Sequence, residues 1–187
     1  RLHAQALQLW QQAGNQHAIN SGRYNLAVCA QNARRHGDAV AQLEPIIASA
    51  LEGQDWRRLS QSLDVRGNAY SGLRQWPLAV ADYQLCIRTA WNCMSSFDLA
   101  YGLWNLPRAL AHLRQPEAAV RLIAFAASMW RSRFGELSAD DRHYMRLVRR
   151  LASRQIAAAR IDALWQEGEQ LAPSQAVALA LAVRPEA

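Results

Sequence analysis

The segment Arg66-Gly67-Asn68-Ala69-Tyr70 is followed closely by Trp76-Pro77-Leu78-Ala79-Val80-Ala81-Asp82-Tyr83, and together they have the pattern of two helices joined by a turn. Gly67 lies on the apolar face of the first helix, where a neighbouring helix can approach closely. Ala79 and Tyr83 supply the matching apolar face of the second helix. The pair therefore predicts one complete helix–turn–helix repeat.

Similar residues recur when the sequence is shifted by about 40 residues, which is within the range of known helical repeats. Ala79-Val80 aligns with Ala39-Val40 and with Ala119-Val120. Other aligned positions are also apolar, among them Ile19 with Leu59 and Leu99, and Leu43 with Tyr83 and Ile123. Because one repeat cannot bury its apolar face alone, repeats of this kind stack into a solenoid.

The repeat divides the chain into an array and a C-terminal extension. We predict an all-α, right-handed helical solenoid with a half repeat at residues 1–14 and full repeats at 15–53, 54–94 and 95–135. The period fails after Gly135, and residues 136–187 are predicted to form three capping helices that pack against the end of the array. Since the sequence opens with Arg1 in mid-repeat, we expect it to belong to a longer protein.

Local signals suggest where individual helices begin and end. Gly14-Asn15 is typical of a helix C-terminus, and His36-Gly37-Asp38 predicts a turn in which Asp38 caps the following helix. Pro107 interrupts a helical pattern, so we predict a kink there, with a broken helix as the alternative.

Composition bounds the possible functions. The 187 residues are 51% hydrophobic and 19% charged, which suits a folded domain. The formal net charge is +6, yet every basic residue is Arg, and this bias is weak evidence for nucleic-acid binding, so we expect none from this sequence. No apolar run approaches the roughly 20 residues that span a bilayer, so no membrane partner is expected. The three cysteines have neither metal-ligand nor disulfide spacing, which favours a reducing cytoplasm, and no cofactor or metal is predicted.

Two stretches of the sequence resemble known families. Gly67-Asn68-Ala69-Tyr70, with Trp76, Ala79 and Tyr83 behind it, resembles the tetratricopeptide pattern in the second repeat only. Over nearly the whole chain, the phrases Leu103–Leu110, Leu164–Gly168 and Ala176–Leu181 resemble the C-terminal repeat region of large bacterial ATP-dependent (STAND-type) transcriptional regulators.

The second resemblance implies a function. In that family a DNA-binding winged helix and a P-loop ATPase precede the helical array, so the resemblance implies a signal-receiving or protein-interaction module that also contacts other domains of its parent chain. This sequence has no G-x-x-x-x-G-K-[ST] phosphate loop, and ATP and DNA binding would lie elsewhere in the parent. The alternative is a free-standing tetratricopeptide adaptor that scaffolds a partner protein.

A tetratricopeptide-like geometry would turn one face of the three leading helices into a concave groove. Ten side chains are predicted to point into it: Tyr24, Gln31, Asn32, Gln61, Asp64, Asn68, Tyr101, Trp104, Arg108 and His112. Converging amide, aromatic and Arg groups are typical of a binding site, here for a protein or peptide partner or a small-molecule effector. The alternative is that Tyr24 and Trp104 only fill the core.

The remaining patterns are less specific. The five histidines are scattered and form no catalytic set with Ser, Cys or Asp, so no enzymatic activity is expected. Arg142, Arg146, Arg149, Arg150 and Arg154 form a basic helix face, which is either a solvated surface paired with acids or a phosphate-facing stripe. Leu7 and Trp10 are expected to lack a packing partner, which predicts self-association through the N-terminal helix.

Overall fold

The fold is described by a computed structural model over residues 2–184; the side chains of residues 2–4, 6 and 8 lie outside that description. Residues 2–184 form ten α-helices and no strand: α1 (Leu2–Gln12), α2 (Gln16–Asn32), α3 (His36–Glu52), α4 (Trp56–Gly72), α5 (Trp76–Asn92), α6 (Ser96–His112), α7 (Pro116–Phe134), α8 (Ala139–Ser153), α9 (Ala158–Glu169) and α10 (Pro173–Ala182). The all-α prediction is confirmed.

The order of packing is compatible with a helical solenoid, because each helix from α1 to α8 packs against the next one along the chain. The right-handed, tetratricopeptide-like geometry and the division into repeats stay predictions. The predicted half repeat includes Arg1, which lies outside the described residues. Within residues 2–184, no helix combines the length and the apolar character needed to cross a membrane.

The array has a finer spacing than the sequence suggested. Helices α2 to α7 begin at residues 16, 36, 56, 76, 96 and 116, so each begins 20 residues after the one before. Each turn contains a residue in the left-handed region, and apart from Gly14 these are not glycines: Arg34 (φ 57), Gln54 (φ 54), Arg74 (φ 60), Met94 (φ 55) and Arg114 (φ 58).

One hydrogen-bond pattern explains this regularity. After α2, the N–H of Arg35 donates to the Ala30 carbonyl over 2.8 Å, which is the long bond of a Schellman motif closed by a left-handed residue. The same bond follows α4, where Gln75 donates to the Tyr70 carbonyl over 2.9 Å. Identical turns therefore set identical spacings between successive helices.

The structure corrects one local prediction and excludes one alternative. The turn predicted at His36-Gly37-Asp38 is wrong, since α3 begins at His36 after the N-cap residue Arg35. Asp38 lies in the first helical turn, where it accepts a hydrogen bond from Arg35 over 3.1 Å. The broken helix considered at Pro107 is also wrong, because α6 is continuous from Ser96 to His112.

The N-terminal helix has a packing partner, contrary to our expectation. Trp10 is half-buried and lies against α2: a Cβ added to Gly22 would be 2.8 Å from its Cζ3 atom. Gly22 thus provides the space that the indole ring fills. Self-association through α1 stays a prediction. Because Trp10 packs on α2, this side chain no longer supports it.

The C-terminal helices fold along the array as well as at its end. Helix α8 packs on α6 and α7, α9 packs on α7, and α10 reaches back to α5, α6 and α7. The amide of Gln84 on α5 ties α10 in place by donating to the carbonyls of Ala180 (2.9 Å) and Val183 (2.7 Å). As a result, α8 partly covers the leading-helix side and α10 covers the return helices.

Candidate functional site

A cavity of about 730 Å³ lies where the C-terminal ends of α2, α4 and α6 meet the first residues of α3 and α5. Thirteen residues line it: Gln31, Asn32, Arg34, His36, Asn68, Ser71, Gly72, Arg74, Trp76, Tyr83, Arg108, His112 and Tyr144. The lining is predominantly polar. Its size falls within the range of roughly 300–1,000 Å³ that is usual for small-molecule sites.

A stacked group of three side chains forms one wall. The rings of Trp76 and His112 lie 3.9 Å apart and nearly parallel, with 8° between their planes. The Arg108 guanidinium carbon lies 5.6 Å from the centre of the Trp76 ring, a cation–π distance. Burial, and then the positive charges of Arg108, Arg74 and Arg154, lower the pKa of His112. This wall therefore carries positive potential beside an aromatic surface.

A second part of the lining is formed by the turn between α2 and α3. Nδ1 of His36 lies 2.7 Å from the side-chain oxygen of Gln31; since that oxygen only accepts, Nδ1 donates. The His36 ring lies directly against Gly72, because a Cβ added to Gly72 would overlap it. The missing side chain at position 72 thus lets α2–α3 and α4 close together at the cavity.

The floor is a hydrogen-bonded network around Tyr83, which is only 1% exposed. Its hydroxyl donates to the side-chain oxygen of Asn68 over 2.8 Å, which leaves Ser71, 3.2 Å away, as a donor to Tyr83. Asp64, one turn before Asn68, accepts from Asn105 over 2.8 Å. Burial, opposed by the Asn105 hydrogen bond, raises the pKa of Asp64 to about 6.

Helix α8 forms the remaining side. Tyr144 stacks on Trp104 with ring centres 5.9 Å apart, and its hydroxyl donates to the Asn105 carbonyl over 3.0 Å. Trp104 is 7% exposed and also contacts Trp130. Trp104 therefore packs in the core beneath α8, as in the alternative that it only fills the core.

The structure brings together half of the residues predicted for the groove. Gln31, Asn32, Asn68, Arg108 and His112 line the cavity, whereas Tyr24, Gln61, Asp64, Tyr101 and Trp104 do not. Tyr24 packs against the core between α2 and α4, with the Arg58 guanidinium 5.7 Å from its ring centre. Tyr101 contacts Trp130 edge to face at 5.3 Å. Whether the ten residues form a binding site stays a prediction.

Several lining residues were missed by sequence reasoning. Arg34 and Arg74 lie in turns, and Tyr144 belongs to a helix outside the repeat, so neither a leading-helix face nor the period includes them. A signal for the turn residues was present in the sequence: Arg34, Arg74 and Arg114 follow one another at the repeat spacing. Tyr144 had no such signal.

The basic face predicted on α8 is mostly solvated. Arg149 pairs with Asp162 over 2.7 Å and lies 5.0 Å from the centre of the Trp165 ring, and Arg142 donates to the Leu137 carbonyl. Arg146 and Arg150 are exposed. Arg154 differs from these in lining a second, shallower cavity together with His112 and Arg114.

Within the part of the chain that the structure describes, no three His, Cys, Asp or Glu side chains are placed to hold a metal ion. Comparison with protein-family models, with curated proteins and with solved structures gave no match to this chain.

Proposed function

We propose that this chain is a non-catalytic, tetratricopeptide-like repeat module that receives a signal in the cavity between α2, α4 and α6, within a larger ATP-dependent transcriptional regulator. The observation that carries the binding role is the cavity itself, whose polar lining comes from five array helices, their turns and α8. The regulator assignment is supported by the resemblance of Leu103–Leu110 and of the C-terminal segments.

The packing of α8 offers a way to transmit the signal. Tyr144 lines the cavity and also stacks on Trp104, so occupancy of the cavity and the position of α8 are coupled through one side chain. A ligand shifts such an equilibrium only by binding one position of α8 better than another. Couplings of this kind are typically about 1–3 kcal/mol.

The test places cavity variants in the gene that encodes this chain, in the native organism. We expect Arg74→Gln combined with Arg108→Gln to change the same set of transcripts as deletion of the gene. Gln occupies the equivalent turn at Gln54 with φ 54, so this backbone accepts it. The matched control is Arg146→Gln, an exposed Arg on α8 that does not line the cavity, and it should leave transcription unchanged.

A transcript profile that is normal in the double variant, while its circular dichroism and melting match those of the wild type, would contradict this function. Trp104 is unsuitable for the test, since removal of a buried Trp lowers stability by about 3–5 kcal/mol and mixes unfolding with loss of signal.

The alternative function, an adaptor that docks a partner protein, is favoured by a separate observation. Large apolar side chains are exposed around the turn between α5 and α6, with Met94 88% exposed and Phe97 52% exposed. Met94, Trp91 and Met129 also line an apolar cavity of about 420 Å³. If the chain is an adaptor, Met94→Glu should abolish partner binding. If it is the signal-receiving module of a regulator, Met94→Glu should leave the transcriptional response intact.

A further inference from the structure

The charge of the cavity points to the chemistry of its ligand. The permanently charged side chains in the lining are those of Arg34, Arg74 and Arg108, and the lining contains no Asp or Glu. We propose, on the basis of the function proposed above, that the cavity binds the polyanionic group of a small organic molecule, either a phosphate ester or a polycarboxylate.

Arg108 provides the clearest single charge in the lining. Its Nε–H is buried and has no hydrogen-bond partner within the described residues, so the protein does not saturate this guanidinium. Because Nε is shielded from solvent, an anion in the cavity would contact the other nitrogens of the group. The guanidinium lies beside Trp76 rather than beside a carboxylate, so its charge is also left for a ligand.

Arg34 and Arg74 add a second, independent feature. Both occupy left-handed turn positions, with φ of 57 and 60, at equivalent points of successive repeats. Arg114 occupies the third such position and lines the adjoining cavity with Arg154. The alternate turns carry Gln54 and Met94 instead. Positive charge is therefore concentrated on the single edge of the array where the leading helices end.

These charges are not neutralised by the protein. In the described part of the chain, Arg34, Arg74 and Arg108 form no ion pair with a carboxylate. Other arginines do form such pairs, for example Arg66 with Asp82 over 2.7 Å. Carboxylates therefore pair with arginines outside the cavity but not with the three arginines that line it. Unpaired guanidinium groups that converge on one space favour phosphate or carboxylate.

The shape of the cavity favours a small molecule over a polymer. Tyr144 closes one side and is fixed there by its stack on Trp104 and its bond to the Asn105 carbonyl. A peptide or nucleic-acid strand running along the leading helices would meet α8 beside α6. The neutral amides of Gln31, Asn32 and Asn68 supply contacts for the uncharged part of the ligand.

The experiment titrates the purified chain with two probes, inorganic pyrophosphate and citrate, by isothermal titration calorimetry at low salt. We expect one site per chain for at least one probe. Arg74→Gln combined with Arg108→Gln should weaken binding by about tenfold or more, since hydrogen bonds to charged groups are among the strongest in proteins. Preference for pyrophosphate assigns a phosphate ester, and preference for citrate assigns a polycarboxylate.

The control separates the cavity from general charge. Arg146→Gln removes the same charge from the exposed face of α8, and its affinity should stay within about twofold of the wild type. Equal weakening in Arg146→Gln, or binding of neither probe, would overturn the proposal. If neither probe binds but the cavity variants still lose the transcriptional response, the anion class fails while the signal-receiving function stands. Tight binding of duplex DNA that is lost in the double variant would replace the small anion with a polymer.

Discussion

At the scale of single residues, Asp64 makes the stability of the fold depend on pH. Burial raises the pKa of its carboxyl from the ordinary 3.8 to about 6, so between these values the folded protein holds a proton that the unfolded chain has released. Stability therefore falls as pH rises through this window. A difference of about two pH units corresponds to about 3 kcal/mol, lost fully above the folded pKa.

Asp64→Asn should remove this pH dependence. The free energy of unfolding of the variant, relative to that of the wild type, is expected to rise by about 2–3 kcal/mol between pH 4 and pH 8. Urea denaturation at a series of pH values measures the difference. The comparison is insensitive to any constant cost of replacing the carboxylate that accepts from Asn105. A difference that stays constant with pH would show that Asp64 ionises normally in the fold.

At the scale of helices, the contact of α4 with α5 depends on Gly67. A Cβ at this position would lie 2.6 Å from Cε1 of Tyr83, a ring that is buried and held by Asn68 and Ser71. Gly67→Ala should therefore lower the free energy of unfolding by about 1–3 kcal/mol, because the ring has no room to move.

Gly37 is the matched control for this contact. It also lies in a helix, α3, but a Cβ there would meet nothing within 4 Å. Gly37→Ala should raise stability by about 0.5–1 kcal/mol, since alanine is the better helix former. Denaturant unfolding of both variants gives the two signs. Equal effects of the two substitutions would mean that Tyr83 adapts and that the close contact is not important.

Packing between helices leaves a clear signal in the sequence, whereas the turns between them leave a weaker one. The repeat was visible because Ala39, Ala79 and Ala119, which are all 0% exposed, fill equivalent positions between helices. Apolar burial constrains residue type, so it leaves a periodic signal. Turns without glycine were harder to predict, because a side chain such as that of Met94 in a left-handed conformation does not mark the turn as glycine would.

The part of the candidate site that lies on the repeated helices was predictable, and the part on α8 was not. Asn68 and Arg108 lie at equivalent positions of successive leading helices, so the repeat places them on one face. The position of Tyr144 follows from α8 folding back onto α6, a contact between helices that share no repeat. Such a contact depends on how two helix surfaces far apart in sequence fit together, so it cannot be predicted from local sequence patterns.

At the scale of the whole molecule, the two ends of the chain differ in how much of the fold depends on them. Within the described residues, α1 packs on α2, whereas α10 packs on α5, α6 and α7 at once. Val177 and Val183 lie 5% and 9% exposed in the same core cluster as Ile87 and Leu122. In a linear array each unit stabilises its neighbours, so an element that joins three helices should matter more than a terminal one.

Removal of residues 172–187 should therefore lower the melting temperature more than removal of residues 1–14. Exposure of the apolar surface under Val177 and Val183 costs at least about 3 kcal/mol, which corresponds to roughly 6–12 °C for a chain of this size. Differential scanning calorimetry of the two shortened proteins measures both shifts. Because this deletion also removes the Ala180 and Val183 carbonyls that accept from Gln84, the variant Gln84→Ala should shift the melting temperature of the full chain in the same direction by a smaller amount. If the N-terminal deletion lowers the melting temperature more, then the packing of successive repeats determines the stability of the chain, and α10 contributes little to it.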